Sequence, residues 1–89
     1  MDKVMKEKKA VASTLEPTVR IGKAGLTNAI VEEIKSQLEK KEALKIKVLG
    51  ATRDEIKTIS QELVRRTETE LVEIRGNTIT LWQKESLGG

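Results

Sequence analysis

The segment Gly22-Lys23-Ala24-Gly25 contains the residue types in this chain best suited to holding an anion. Two glycines let a phosphate group approach the backbone without a Cβ in the way, and Lys23 adds a mobile positive charge. Thr27 is suited to cap a helix, whose free N–H groups would point towards this segment. Because a helix N-terminus carries partial positive charge, the pattern indicates a phosphate-binding turn. Glycines between a strand and a helix also serve backbone geometry alone, and that interpretation stays open here.

Basic side chains surround this segment in the predicted structure. Arg20 alternates with Ile21 in a strand before it, and Lys45 and Lys47 lie opposite Ile46 in a second strand. A first helix carries lysines at a spacing of three, and these are Lys3, Lys6 and Lys9. Residues 1–50 hold eleven Lys and Arg against seven Asp and Glu, whereas residues 51–89 hold six against seven. The imbalance favours a surface that faces a polyanion, with a solvated charged surface as the alternative.

Trp82 is the one aromatic residue of the sequence. Together with Arg75, it joins the basic face of the sheet if Ile74 and Leu81 point inward. There it could stack on a nucleobase, or it could be partly buried at the end of a strand.

The composition argues against an enzyme. With no cysteine and no histidine, the chain lacks disulfides, thiolate metal sites and the commonest general base. Neither a GxxxxGK[ST] loop nor a GxGxxG fingerprint occurs, and the acidic residues lie mostly on the outer faces of predicted helices. We therefore predict no catalytic residue, no metal site and no cofactor. Since no apolar run resembles a membrane span or a signal peptide, we expect a cytoplasmic protein without a membrane partner.

The pattern of apolar residues predicts the order α-β-α-β-α-β-β. The predicted elements are a helix over 3–14, a strand over 18–21, a helix over 28–41, a strand over 44–48, a helix opened by the capping-box pair Thr52 and Glu55, and strands over 70–75 and 78–83 joined by a turn at Gly76-Asn77. In the first helix, one side is apolar, formed by Val4, Met5, Val11 and Ala12 with Leu15 beyond. Two β-α-β units indicate parallel strand pairs, so we predict an α/β fold of two-layer α+β type, with a four-stranded mixed sheet and both crossover helices on one face.

A chain of 89 residues supports one core. We therefore predict a single domain over 1–85 and a frayed tail over 86–89.

Several of these residues together form an ordered set of motifs. The set consists of Leu15-x-Pro17, Val19-x-Ile21-Gly22-Lys23-x-Gly25-Leu26-Thr27, Leu44-Lys45-Ile46-Lys47 and Val72-x-x-x-Gly76-x-x-Ile79-x-Leu81-Trp82. It resembles the YhbY-like family, also called the CRM domain (chloroplast RNA splicing and ribosome maturation). The resemblance covers about residues 4–83.

This resemblance implies a fold similar to the C-terminal domain of translation initiation factor 3, with the last strand between the second and third. It also implies a monomeric RNA-binding domain that associates with precursors of the large ribosomal subunit during ribosome assembly. The predicted RNA-binding residues are Gly22, Lys23, Ala24, Gly25, Leu26, Thr27, Arg20, Lys3, Lys6, Lys9, Lys45 and Lys47.

The chain departs from the family pattern at two places. Trp82-Gln83 stands where members commonly have an aromatic residue followed by arginine, and Thr67-Glu68-Thr69 lacks a glycine often found after the third helix. The second departure is expected to change only how that helix ends. Three other functions remain open: a module that docks on ribosomal proteins or assembly factors, an RNA-binding factor for intron splicing, and an enzyme for a small phosphate ligand.

Overall fold

The computed structural model describes residues 3–84, and for residues 3 and 4 it describes the backbone alone. The elements are α1 (Lys3–Ala12), β1 (Pro17–Ile21), α2 (Asn28–Leu38), β2 (Ala43–Val48), α3 (Arg53–Thr67), β3 (Thr69–Arg75) and β4 (Thr78–Gln83). The predicted order of elements is confirmed. The predicted tail over 86–89 lies outside the described residues. Within residues 3–84, none of the helices is both long enough and apolar enough to cross a bilayer.

The first two helices are shorter than the apolar pattern predicted. α1 ends at Ala12, because the hydroxyl groups of Ser13 and Thr14 each donate to the carbonyl three residues back, at 2.7 Å. Such side-chain bonds compete with the helical backbone. α2 ends at Leu38, the last buried residue of its apolar stripe, and the four residues that follow are all charged and exposed.

The sheet has the strand order β1-β2-β4-β3, which confirms that the last strand lies between the second and third. β1 and β2 pair in parallel, and β4 is antiparallel to both β2 and β3. β3 is therefore parallel to β2 but separated from it by β4. The predicted hairpin turn is confirmed, with Gly76 in the left-handed region at φ 59°. We call the edge of the sheet at which β1, β2 and β3 end the turn edge.

The main core lies between the sheet and the pair α2 and α3. Its buried members are Val19, Ile21, Ile34, Leu38, Leu44, Ile46, Val48, Ile56, Leu63, Ile79 and Leu81. α1 packs on the opposite face of the sheet, which we call the outer face, over β3. There Ala12, Val72 and Thr80 are buried. Val11, which the sequence placed on the apolar side of α1, is not buried with Ala12. It is 46% exposed, because Ala12 is the residue that turns towards the sheet.

α3 ends without a glycine. Glu68 takes the left-handed conformation, with φ 54° and ψ 49°, and its N–H donates to the Val64 carbonyl. On either side of it, the hydroxyl groups of Thr67 and Thr69 are hydrogen bonded to each other at 2.9 Å and are buried. This threonine pair closes the turn that a glycine would otherwise favour.

Candidate nucleic-acid interface

The segment Gly22–Gly25 forms a tight turn at the end of β1. The N–H of Gly25 donates to the Gly22 carbonyl at 2.9 Å, and the side chains of Lys23 and Ala24 are exposed. Gly25 lies in the left-handed region at φ 76°, so the backbone itself favours glycine there. Gly22 has no positive φ, and no atom lies within 4 Å of where its Cβ would be. Backbone conformation therefore favours glycine at position 25 but not at position 22, where the missing side chain leaves the backbone open to a ligand.

Beyond the turn, Leu26 packs against the core and Thr27 caps α2. The Thr27 hydroxyl accepts from the Ile30 N–H at 3.2 Å, which confirms the predicted cap. Within residues 3–84, the N–H groups of Asn28 and Ala29 have no hydrogen-bond partner, and the first turn of α2 contains no acidic residue. The arrangement can accept an anion at two backbone donors and the positive end of the helix.

Arg66 adds a cation that the sequence did not point to. Its guanidinium group donates to the side-chain carbonyl of Asn28, the first residue of α2. The two residues are 38 apart in sequence, on different helices. No local motif signals such a contact, because it depends on how α3 packs against α2.

Arg20, Lys45 and Lys47 lie on the outer face of the sheet, and we call these three residues the basic row. Arg20 and Lys47 are direct neighbours across the β1–β2 pair, so two like charges lie side by side. In the described part of the chain, none of the three forms an ion pair. Because β1 runs directly into the turn, the row extends the positive surface from the turn across two strands.

The lysines of α1 lie on the other side of the outer face. α1 packs over β3, the strand at the opposite side of the sheet from β1, about 14 Å away at the usual strand spacing. Lys6 and Lys9 are exposed there, and the side chain of Lys3 lies outside the described part. The structure therefore groups the basic row with the turn, whereas Lys6 and Lys9 project from a helix that packs over β3.

Trp82 and Arg75 lie on the outer face, as the sequence indicated, because Ile74 and Leu81 pack against the helix-side core. The ammonium group of Lys8, the lysine of α1 that is not in the predicted set, lies 5.7 Å from the centre of the Trp82 ring and pairs with Glu70. Trp82 also lines an open groove of about 320 Å³.

The N-terminus of α3 lies at the turn edge too, but its own side chains occupy it. The Thr52 hydroxyl accepts from the Glu55 N–H at 3.2 Å, and Glu55 Oε1 accepts from the Thr52 N–H at 2.8 Å. This is the predicted capping box. The bond from the Thr52 N–H, supported by the Thr52 side chain, lowers the pKa of Glu55 below its ordinary value. Asp54 places a second carboxylate in the same turn.

Comparison with known proteins agrees with the motifs. Residues 1–83 match the CRS1 / YhbY (CRM) domain. An RNA-binding protein of Haemophilus influenzae is 35% identical over 75 residues, which are 84% of this chain and 76% of that protein. The Bacillus subtilis protein named Probable RNA-binding protein YqeI is 30% identical over 73 residues, which are 82% of this chain and 76% of that protein.

The fold also has a counterpart of known structure. The solution structure of the hypothetical protein SAV1595 from Staphylococcus aureus superposes with a TM-score of 0.83 at 26% identity, covering 96% of this chain and 88% of that chain. Family match, relatives and fold agree, and this chain belongs to the CRS1/YhbY (CRM) domain family.

Proposed function

We propose that this protein binds RNA without catalysing a reaction, and that the Gly22–Gly25 turn holds a backbone phosphate. The observation that carries the proposal is the arrangement at the start of α2. An open turn with Lys23 at its tip leads into a helix whose Asn28 and Ala29 N–H groups have no partner within residues 3–84. Arg66 adds a cation beside the same turn of helix.

The basic row extends this site into a track for a longer polyanion. Arg20 and Lys47 are neighbours of like charge, an arrangement that an anion between them stabilises. The relatives named as RNA-binding proteins support RNA, rather than a small phosphate ligand, as the polyanion.

In this mechanism most of the affinity comes from the release of counterions when phosphates meet the cations. Backbone contacts of this kind carry no sequence information, so recognition depends on RNA shape, unpaired segments and 2′-hydroxyl groups. We expect weak sequence preference and a steep fall in affinity with salt.

The proposed target is precursor RNA of the large ribosomal subunit, bound by a single copy of the protein in the cytoplasm during ribosome assembly. It follows from the family resemblance and is tested separately. Crosslinking in cells should recover large-subunit precursor RNA. Recovery of intron RNA instead would assign the protein to splicing, and partners that survive nuclease treatment would indicate a protein-docking module.

The binding site is tested by removing its charges against a control of equal charge. The test variant carries Arg20→Gln, Lys23→Gln and Lys47→Gln. The control carries Lys35→Gln, Lys40→Gln and Arg65→Gln, three exposed cations on α2, the turn after it and α3. Both variants lose three positive charges, so a difference between them reports position rather than net charge.

We expect the test variant to bind precursor RNA more weakly and its plot of log affinity against log salt to be flatter by about 2. The control should keep a slope close to that of the wild type, and circular dichroism should show both variants folded. Equal slopes for the two variants would contradict the site. A wild-type affinity independent of salt would contradict the mechanism.

A further inference from the structure

The groove on the outer face lies next to the basic row but differs from it in chemistry. Its apolar wall is formed by Val11 and Leu15, from the end of α1 and the segment after it, and its floor by Ala43 and Trp82. Lys45 belongs both to this groove and to the basic row. An RNA strand held by the row therefore passes the mouth of the groove.

Trp82 is held in position before any ligand arrives. Its backbone is paired with Ala43 on one side and Glu70 on the other. The ammonium group of Lys8 lies over the ring at 5.7 Å and is itself paired with Glu70. A ring fixed in this way loses little conformational freedom on binding, which favours stacking.

We propose that this groove binds one unstacked nucleobase of the RNA, with Trp82 as its stacking partner; this inference rests on the proposed function. The lining carries charges of both signs, with Lys41 and Lys45 alongside Glu16 and Glu42. Carboxylates at the rim disfavour a phosphate but can accept hydrogen bonds from the amino groups of a base. At about 320 Å³ the groove lies at the lower end of the volumes of small-ligand pockets. Its ten lining residues are fewer than the roughly 20–30 that each side of a stable protein interface contributes.

Because Trp82 is the one aromatic residue, the intrinsic fluorescence of the protein reports on this groove. The wild-type protein is titrated with a short single-stranded RNA and with a matched abasic ribose-phosphate strand of equal charge. Anisotropy of a label on each strand measures binding independently. We expect both strands to bind, but only the strand that carries bases should quench the tryptophan emission.

A pair of variants connects the quenching to affinity. Val11→Glu puts a carboxylate on the groove wall, whereas Ala10→Glu makes the same charge change at the neighbouring exposed position of α1. Stacking on an aromatic side chain contributes enough that we expect Val11→Glu to weaken binding of intact RNA about tenfold. Ala10→Glu should change this affinity less than twofold. The two variants should bind the abasic strand with equal affinity.

The outcomes separate the two proposals. Binding of intact RNA without quenching, or equal quenching by the abasic strand, would overturn the nucleobase site and leave the phosphate site standing. Equal effects of Val11→Glu and Ala10→Glu would overturn it as well. If neither strand bound at low salt, the proposed function itself would fail, and the nucleobase site with it.

Discussion

Two strand-to-helix connections lie side by side at the turn edge and are built to the same plan. β1 leads to α2 and β2 leads to α3, and the N–H of Leu49 at the start of the second connection donates to the Ile21 carbonyl at 2.8 Å. Each connection has a left-handed glycine two residues before a capping threonine: Gly25 before Thr27, and Gly50 before Thr52. In both, the residue between glycine and threonine packs against the core.

The connections differ in what meets the positive end of the helix. The first turn of α3 contains Asp54 and Glu55, and Glu55 bonds back to the capping residue. The first turn of α2 contains no acidic residue, and its carboxylates begin one turn later, at Glu32. The carboxylates of α3 therefore neutralise the positive end of their own helix. The positive end of α2 has no such carboxylate, which leaves it available to an external anion. The proposed phosphate site therefore depends on the charges of the first helical turn as well as on backbone shape.

The largest effect should come from placing a carboxylate in each turn. Gly25→Asp and Gly50→Asp put the same residue at φ 76° and φ 68°, with open space around both positions. Because aspartate tolerates this conformation and the two φ angles are similar, the backbone strain of the two substitutions should match. Gly25→Asp repels a phosphate from the turn, and we expect it to weaken RNA binding at least about tenfold.

Filter binding or anisotropy measures this affinity, and urea unfolding shows whether the two variants are equally stable. Gly50→Asp should bind RNA within about twofold of the wild type, because its helix end already carries two carboxylates. Equal losses of affinity in the two variants would contradict the proposal that only the connection between β1 and α2 binds phosphate.

The two helix caps provide the next comparison. Thr27→Ala and Thr52→Ala each remove a capping hydroxyl, which typically lowers the free energy of unfolding by about 1 kcal/mol. For a domain of this size that corresponds to a melting temperature lower by about 4–8 °C. Thr52→Ala should be the more destabilising, since Thr52 is the centre of the capping box.

Thermal unfolding followed by circular dichroism measures the difference between these caps. A larger loss for Thr27→Ala would show that α2 depends on its cap more than α3 does. That result would contradict the interpretation that the N-terminus of α3 is the one stabilised more strongly by its own side chains.

The local features of both connections, and of the turn between β3 and β4, could be predicted from the sequence. Thr27, Thr52 and Glu55 act through residues within three positions of themselves, and Gly76 through its own backbone angle. Such features depend only on residues close together in the sequence, so they can be predicted without knowledge of the packing.

What could not be predicted depends on contacts between distant segments. Arg66 meets Asn28 across 38 residues, and Lys8 meets Glu70 across 62. Lys8 pairs with Glu70, and α1 packs over β3, the strand farthest from β1 and the turn, which the lysine spacing alone did not indicate. Apolar spacing likewise grouped Val11 with Ala12, but the packing of α1 buries Ala12 and leaves Val11 46% exposed.

A smaller effect tests whether the charge in the first turn of α2 is the decisive difference. Ala29→Asp places a carboxylate where α3 has Asp54. It should stabilise the protein by about 0.3–1 kcal/mol through the helix dipole while it weakens RNA binding, so that stability and affinity change in opposite directions. Ser36→Asp, near the other end of α2, is the control of equal charge, and it should not stabilise the protein. Calorimetry and anisotropy measure the two quantities. An Ala29→Asp protein that binds RNA as the wild type does would contradict the helix-end contact.

The smallest effect concerns how the α3 connection responds to acid. The Thr52 N–H holds the pKa of Glu55 below its ordinary value of 4.5 in the folded protein, so the unfolded chain takes up this proton more readily. The contribution of Glu55 to stability is therefore present above pH 4.5 and is lost as the pH falls through the lowered folded value. Glu55→Gln removes the titrating group but keeps an oxygen acceptor, so the loss of stability on acidification should become shallower. Glu33→Gln makes the same change on α2, away from a capping contact, and is the control of equal charge. Urea midpoints are measured for each protein on both sides of pH 4.5. If the midpoint changes equally with pH in the wild type and in Glu55→Gln, the carboxylate of Glu55 does not stabilise α3 through its charge.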